Sequence, residues 1–530
     1  MNILDRLITW MAPQWGASRA RSRAMARHYE SASVGRRTDN WHRLGTDANA
    51  AAGIMALPIL RAQARDLVRN NPWARHGLRR LVSNIVGWGI RPKAKGPSAD
   101  RVMQAWKDWA ETTQCDSAGR LNMYGIQALA MRTVVESGEI LIRRRWRLPT
   151  DGLAVPMQLQ VLEPDFLDTA RNGIIADGGG PIIQGIEFDQ IGRRVAYWLF
   201  DRHPGSVLSF GTGASSFSPI SKRVDAADVI HVYDQERAGQ VRGPSWFASV
   251  DVRLHDFHEF SDATLMKAKI ASCMAAFVTD IGDGGPSGMP GTDSATGQPS
   301  ETFEPGMIMN LPPGRTVTVA NPPSATDHQS YSTCLLREIA AGLGVTYEDM
   351  TGDYSQVNYS SGRMARLGHQ QDVHHWRWNM LIPQFCAPSW LWMLQALNLS
   401  GVQVGTTPAA WHPAPMPMLD VDKESTAYQR RVRNGQMTWP AMIRELGEDP
   451  DAMLDEIEEF NSEIDRRGIA LDCDPRKLTS AGQAQQVGAV AASGAAPDGA
   501  APAKPNGTVA PLDDEDGEDD TGELDDEAAA

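Results

Sequence analysis

Cysteine is scarce: there are five in 530 residues, Cys115, Cys273, Cys334, Cys386 and Cys473, far apart and odd in number. No two form a CxxC pair, so neither a zinc site nor a disulfide framework is indicated, and free thiols in a reducing compartment are expected. No apolar run reaches the ~18 residues a membrane helix needs. The richest stretch, around 380–399, is cut by Pro383, Gln384, Pro388 and Gln395. The opening MNILDRLITW puts Asp5 and Arg6 where a signal peptide keeps its apolar segment, so a chain neither membrane-spanning nor secreted is expected. Common enzyme signatures are missing too. There is no GxxxxGK[ST] phosphate loop and no GxSxG elbow, and His258-Glu259 lacks the second His of HExxH. The glycine cluster at 282–291 has no dinucleotide-binding spacing and precedes no helix pattern, so it is read as a linker.

What is present argues for a large folded chain. Sixteen tryptophans and 42% hydrophobic residues exclude disorder throughout. The length implies two to four modules, because single cores stop growing near ~250–300 residues. Charge is unevenly placed. The net charge is −14, yet residues 513–527 hold eleven acids and no base, which leaves −3 for the rest. Residues 1–95 carry seventeen Arg and Lys against five Asp and Glu. A basic head of this kind fits a polyanion or acidic partner, or simply a solvated surface. The acidic total argues against a protein that coats nucleic acid.

Periodicity divides the chain. Residues 1–45 read as a poorly ordered basic arm. A helix through LRAQARDLVR stops at Asn70-Asn71, restarts at Pro72 and ends at Gly87 and Gly89. Ser98 is placed to cap a helix whose Val102, Trp106 and Trp109 share a face, and another helix starts from Asn122. The period then changes to two, with strands predicted at 140–143, 157–161, 185–189, 194–200 and 228–233 and a turn at 190–192. From Ser245 to about Val278 no proline or glycine occurs, which predicts one helix of roughly 50 Å. Its apolar residues make no continuous stripe, so it needs neighbours on several sides, and in a chain with no heptads copies of itself are one candidate. After the Gly/Pro/Ser run come strand candidates at 307–311 and 316–319, a helix at 331–343, a polar loop at 352–362, and a helix ending at Pro383. Met453, Ile457, Phe460 and Ile464 form a stripe on a helix capped by Asp449 and stopped by Gly468. The rest is a disordered tail.

Two clusters invite a metal: Asp251, His255, His258 and Asp262 on one helix face, and His369, Asp372, His374 and His375 on another. Polar lining of helix interfaces is the simpler reading of both. The tryptophans suit core packing more readily than stacking on bases. No catalytic constellation and no cofactor or metal site emerges.

A set of segments in fixed order carries more information. TDANAA (46–51), RDLVRNNP (65–72), IVGWGIRP (85–92), VVESGE (134–139) and LQVLEPDFLDT (159–169) are followed by GIEFDQIGRRVAYWL (185–199), DVIHVYDQERAGQVRG (228–243), PGMIMNLPPG (305–314) and IAAGLGVTYEDMTGDYSQVNYSSGR (339–363). Over roughly 29–470 the chain resembles the lambda-type portal proteins of tailed bacteriophages. It departs from the pattern at 417–424 (PMLDVDKE), which lacks the Trp and Pro expected before Lys-Glu. The resemblance implies an α+β, mainly helical portal fold with wing, long stem helices, clip and crown. Residues 1–45 would be a flexible arm, 46–244 the wing, 245–279 the first stem helix and 280–325 the clip. Residues 326–351 would be the second stem helix, 352–362 the tunnel loop, 363–478 helical wing and crown, and 479–530 an acidic tail.

The resemblance also implies a function. It is that of a ring, usually dodecameric, at one capsid vertex, through which DNA is packaged and ejected. Implied partners are copies of itself, double-stranded DNA held without sequence specificity, the large terminase subunit, capsid and scaffold proteins, and head-completion and tail proteins. The implied location is the virion, after assembly in the host bacterial cytoplasm. Such a protein is not an enzyme. Ser355, Gln356, Asn358, Ser360 and Ser361 in the tunnel-loop segment are expected to face DNA, and Lys267 and Lys269 are candidates for sparse phosphate contacts. The alternative is a nucleic-acid-binding or enzymatic packaging component, an ATPase or nuclease; the missing phosphate loop counts against an ATPase, and no clustered acidic motif on strands supports a nuclease. Deleting 513–530 is expected to leave ring formation intact, as measured by native mass spectrometry, because that segment has too little apolar content to pack.

Overall fold

The computed structural model describes residues 45–174, 180–206, 220–272, 276–280, 291–292, 299–300, 315–319, 328–469, 471 and 476. The arm, the acidic tail and the strand expected at 307–311 lie outside the described residues. The chain divides into two compact units at Met453/Leu454.

Helix α1 (Ala48–Ala51) starts where the Asp47 carboxylate accepts from the Ala50 amide. Helices α2 (Ala56–Asn70) and α3 (Pro72–Val86) break where expected. Asn71 serves both: its amide bonds back to the Leu67 carbonyl, and its side chain accepts from the Trp73 and Ala74 amides. Pro72, at the first position of α3, gives up an amide that would have no helical partner there. Strand β1 (Arg91–Ala94), helix α4 (Ala99–Ala110) and helix α5 (Met123–Ser137) follow. Val102, Trp106 and Trp109 are buried on one face of α4 as expected. Ser98 makes no capping hydrogen bond, whereas Asn122 caps α5 through the Gly125 amide.

All five strands predicted between 140 and 233 are present. β2 (Glu139–Trp146) is central in an antiparallel sheet of order β3-β2-β9, with β3 at Met157–Leu162 and β9 at Val229–Tyr233. Between β3 and β9 lies a five-stranded meander: β4 (Gly173–Ile174), β5 (Pro181–Ile183), β6 (Ile186–Phe188), β7 (Arg194–Phe200) and β8 (Ser221–Asp225). Its β6–β7 turn closes where the Asp189 carboxylate accepts from the Ile191 and Arg193 amides. The central strand is buried on both faces, which is why apolar residues run consecutively in it. Ile140 and Ile142 join the main core with Met157, Leu159 and Val232, while Leu141 joins a second core with Ile186, Tyr197 and Leu199.

A buried charged knot ties these layers. Glu139 is fully buried and accepts from Arg61 Nη2 at 2.5 Å, Arg242 Nε at 2.8 and 2.9 Å, Arg242 Nη2, His231 Nε2 at 2.9 Å and the Gly243 amide at 3.2 Å. Burial opposes its charge, but Arg242, His231 and Arg61 together hold the carboxyl well below its ordinary range. Burial pushes His231 down to about 4, so the ring is neutral near pH 7 and donates through Nε2. Gly138 and Gly243 meet back to back. A Cβ on either would lie 2.3 Å from the other's carbonyl oxygen, so neither position tolerates a side chain.

Beyond Gly243 the expected 50 Å helix is shorter. A 3₁₀ turn (Trp246–Ser249) precedes α6 (Asp251–Ser272), and Ala276–Asp280 is a strand, β10. Phe277, Val278 and Thr279 favour a pleated surface. They find a partner in β13 (Arg315–Val319), paired antiparallel with Ala276 opposite Val319. The short ladder β11 (Gly291–Thr292) with β12 (Pro299–Ser300) lies between. Helix α7 (His328–Leu343) and the short α8 (Tyr347–Thr351) lead to α9 (Tyr359–Trp376). The helix does not end at Pro383. It continues as a π-helical segment (Arg377–Cys386) into α10 (Ala387–Leu399). Pro383 has no amide to give and its ring crowds the preceding turn, and wider winding relieves both defects. Strand β14 (Ala409–His412) pairs with β1, and α11 (Val421–Arg433), α12 (Trp439–Glu445) and α13 (Pro450–Arg467) complete the chain. On α13 the predicted stripe is only partly covered: Ile464 is buried, while Ile457 and Phe460 are exposed.

Glu139→Gln leaves Arg61 and Arg242 buried without a counter-charge. Breaking such a pair costs about 3–5 kcal/mol, so a large drop in the urea unfolding midpoint is expected at neutral pH.

Candidate functional site

The segment flagged by the polar loop and the long helix is built on a helical hairpin. Contacts run in opposite order along α6 and α7. Val250 lies against Gly342, where a Cβ would come within 2.5 Å; Arg253 pairs with Glu338 at 3.2 Å; and Phe260 meets the Tyr331 ring at 4.9 Å. The two helices are therefore antiparallel. Burial on α6 falls from Leu254 (0%) and Phe257 (6%) to half-burial at Phe260 and beyond. Val252, Leu265 and Met266 are exposed. The base is fixed to the body: Trp246 packs on Trp376 at 4.9 Å, and Ser249 Oγ donates to the Gly342 carbonyl at 3.0 Å.

The loop that follows α8 is held from both ends. Asp349 accepts from Arg80 Nη2 at 2.6 Å and from Asn84 Nδ2 at 3.2 Å, and His76 Nδ1 donates to the Met350 carbonyl at 2.7 Å. Of the five candidate loop residues, Ser355 and Gln356 form an exposed turn, closed by the Val357 amide on the Tyr354 carbonyl. The Ser355 hydroxyl and amide hold the Asp353 carboxyl below its ordinary range. The expected loop end at 362 is too late. Asn358 is the N-cap of α9, accepting from the Ser361 amide at 2.8 Å, while Ser361 Oγ accepts from the Asn358 amide at 3.1 Å. Ser360 and Ser361 thus stand in the first turn of a helix. Lys267 is half-buried and Lys269 exposed; residues two apart on a helix do not share a face, so the structure does not bring them together.

The two suspected metal clusters do not converge. His255 and His258 lie against Glu259 and Asp262 as exposed pairs, and His369 is buried against Asn84 Nδ2 at 2.9 Å. Among the described residues, one group brings ligand atoms within reach of a common ion: Glu163, Asp165 and His203. Arg65 already occupies it, 2.6 Å from Asp165 and 3.3 Å from Glu163. His203 Nδ1 accepts from the Gly205 amide at 3.0 Å, so in the neutral ring the proton sits on Nε2, the atom that would have to ligate. The donor set does not fit a metal.

Arg377 escaped sequence reasoning, and Asp251 was read there only as part of a metal cluster. Arg377 is buried without a carboxylate and donates to the Ile85 and Asn84 carbonyls at 2.6 and 2.8 Å, the negative end of α3. Burial lowers it to about 10, so it stays charged. Asp251 opens α6, is 7% exposed, and has neither carboxylate oxygen hydrogen-bonded. Beside the loop, α3, α8, α9 and residues 414–419 enclose a groove of about 820 Å³ whose lining includes Trp88, Tyr354, Arg363 and Met416.

The comparisons with known proteins give this arrangement a context. Residues 34–377 match the model of the phage portal protein, lambda family. The chain belongs to that family. It is 27% identical over 442 residues to the probable portal protein of Halomonas phage phiHAP-1, covering 77% of this chain and 81% of that one. Portal protein B of Escherichia phage lambda is 24% identical over 341 residues, covering 57% of this chain and 62% of that one. Among solved structures, the neck of an empty GTA particle computed with C6 symmetry aligns with a TM-score of 0.43 and 16% identity, covering 75% of this chain and 95% of that one. An HK97 family phage portal protein from Corynebacterium diphtheriae aligns with a TM-score of 0.33 and 8% identity, covering 66% and 95%. The mainly helical α+β fold expected of this portal-family chain is the one observed.

Burial raises Asp251 from 3.8 to about 6. The folded chain therefore binds this proton more tightly than the unfolded chain. The resulting stabilisation is complete below pH ~4 and is lost as pH rises through 6. Relative to the parent protein, Asp251→Asn is expected to gain thermal stability on going from pH 4.5 to pH 7.5. A difference in melting temperature that does not change with pH would contradict this.

Proposed function

We propose that this portal-family chain assembles into a closed ring, dodecameric as is usual for the family, at one vertex of a phage capsid. The ring is the channel for DNA during packaging and ejection. In this reading the α6–α7 hairpin is the stem, residues 280–325 form the clip on which the large terminase subunit docks, and head-completion and tail proteins later take that end. Capsid and scaffold proteins surround the body. The observation that carries the reading, beside family membership, is the hairpin itself. Among the described residues, its outer half exposes Leu265 and Met266 on α6 and buries no apolar side chain. A helix hairpin in that state needs neighbours, and further copies in a ring supply them.

Chemistry supports a passive wall. Duplex DNA carries one charge per ~1.7 Å of axis, and a channel rich in lysine and arginine would have to break strong contacts at every step. Ser355 and Gln356, exposed at the tip of the loop, and Ser360 and Ser361 in the first turn of α9 suit a surface that hydrates DNA without gripping it. Asn358 contributes by fixing the loop's exit. Of the two stem lysines, Lys269 is the better placed for a phosphate. The role is structural, with no turnover of its own.

Negative-stain electron microscopy and native mass spectrometry of the purified chain are expected to show assemblies of hundreds of kilodaltons with a central hole, and no ATP hydrolysis above background. A protein that stays monomeric or dimeric at every concentration, or that hydrolyses ATP appreciably, would overturn this proposal.

A further inference from the structure

Helix α9 carries two unlike surfaces on opposite sides. One side lines the 820 Å³ groove through Tyr359, Gly362, Arg366 and His369. The other, beyond the first turn, presents Met364, Gly368 and Gln371, all exposed. The positions repeat at three and four residues, so each set forms a line, and the lines lie about half a turn apart. Met364 is 71% exposed, and Gly368 has nothing within 4 Å of where a Cβ would stand. An open ridge with one long apolar side chain at its centre therefore runs along the back of the helix that walls the groove.

The groove is apolar where such a side chain would enter. Its lining includes Trp88, 54% exposed, with Met416 and Leu419. Charge is complementary as well. Arg363 is exposed at the groove, and Asp372 is exposed on the ridge flank. Among the described residues neither has an ion-pair partner.

We propose that the groove receives the Met364 ridge of a second copy of this chain, with Arg363 of one copy opposing Asp372 of the next. The inference rests on the ring reading and specifies one contact within it. Because ridge and groove are different surfaces on opposite faces of one helix, the contact is head-to-tail rather than two-fold. Repetition of a head-to-tail contact closes into a ring or runs on as a filament. Methionine suits the role, since its unbranched thioether adapts to an irregular groove.

The test uses the full-length chain carrying Met364→Cys together with Met416→Cys, oxidised after assembly and run on a denaturing, non-reducing gel. A ladder of covalent multimers is expected, absent from either single variant. The two positions lie on opposite sides of α9, so a bond within one chain does not compete. Independently, Arg363→Asp and Asp372→Arg are each expected to weaken association roughly two- to fivefold per contact, and the double variant to recover it. Rings that form without a ladder and are indifferent to the charge changes would overturn the inference alone. A chain that never assembles would overturn it together with the ring reading.

Discussion

One buried carboxylate organises the body. Glu139 begins the central strand and receives hydrogen bonds from α2 (Arg61), from β9 (His231) and from the segment that leads to the hairpin (Arg242 and the Gly243 amide). With His231 neutral, the knot holds one negative and two positive charges away from water. Such a cluster is costly to bury, and replacing it with apolar groups often leaves stability unchanged or improved. What it supplies is a junction of three elements and the approach to the hairpin at one point. In the observed arrangement of α2, β2, β9 and residues 242–243, one carboxylate meets both guanidinium groups at once. Gly138 and Gly243 permit it, because only bare backbone fits where the end of α5 and the approach to the hairpin cross.

The knot's influence reaches the hairpin through the few residues that follow. Ser245 Oγ donates to the Val135 carbonyl at 3.3 Å and accepts from the Phe247 amide at 3.2 Å, which directs Phe247 and Val250 into the main core. Val250 then meets Gly342, and on α3 Gly77 leaves room for Leu343, which would sit 2.7 Å from a Cβ there. Arg377 performs the complementary task beneath the loop, tying the π-helical segment to the last carbonyls of α3. The base of the hairpin and both ends of the loop are therefore referred to the same helix, α3.

Much of this was legible in the sequence, and what was not has identifiable causes. Strand and helix positions in the body followed from periodicity, because each element there buries one face or both against one of two cores. The break at Asn71-Pro72 followed from capping chemistry. The long helix was overextended because absence of glycine and proline does not distinguish helix from strand when an antiparallel partner lies some forty residues away, as Arg315–Val319 does for Ala276–Asp280. The loop was extended too far because its serines read as loop residues, whereas Asn358 and Ser361 form a capping box. Pro383 was read as a stop because π-winding leaves no mark in composition. The Glu139 knot did leave one. Arg61 occupies the buried stripe of Leu57, Ala64 and Val68 at helical spacing, and an arginine there requires a buried acid. Which acid it meets, 78 positions away, is a property of the fold alone.

The hairpin's irregular pattern is itself informative once its two halves are compared. Near the body, Leu254 and Phe257 enter the common core, and that end of α6 would be stable in a single chain. Further out, exposed Leu265 and Met266 alternate with Asp262 and Lys269, so no single apolar face exists to dock on one neighbour. A 22-residue helix with that distribution gains little from its own propensity, since most helical stability in proteins comes from tertiary packing of an apolar face. Contacts on more than one side, each modest, stabilise it better than one strong contact would. In the proposed ring every hairpin has a neighbour on either flank, and the remaining side is free to be polar. The feature that defeats a helical-stripe reading of residues 251–272 is the one that a rod shared between neighbours and a hydrated channel requires.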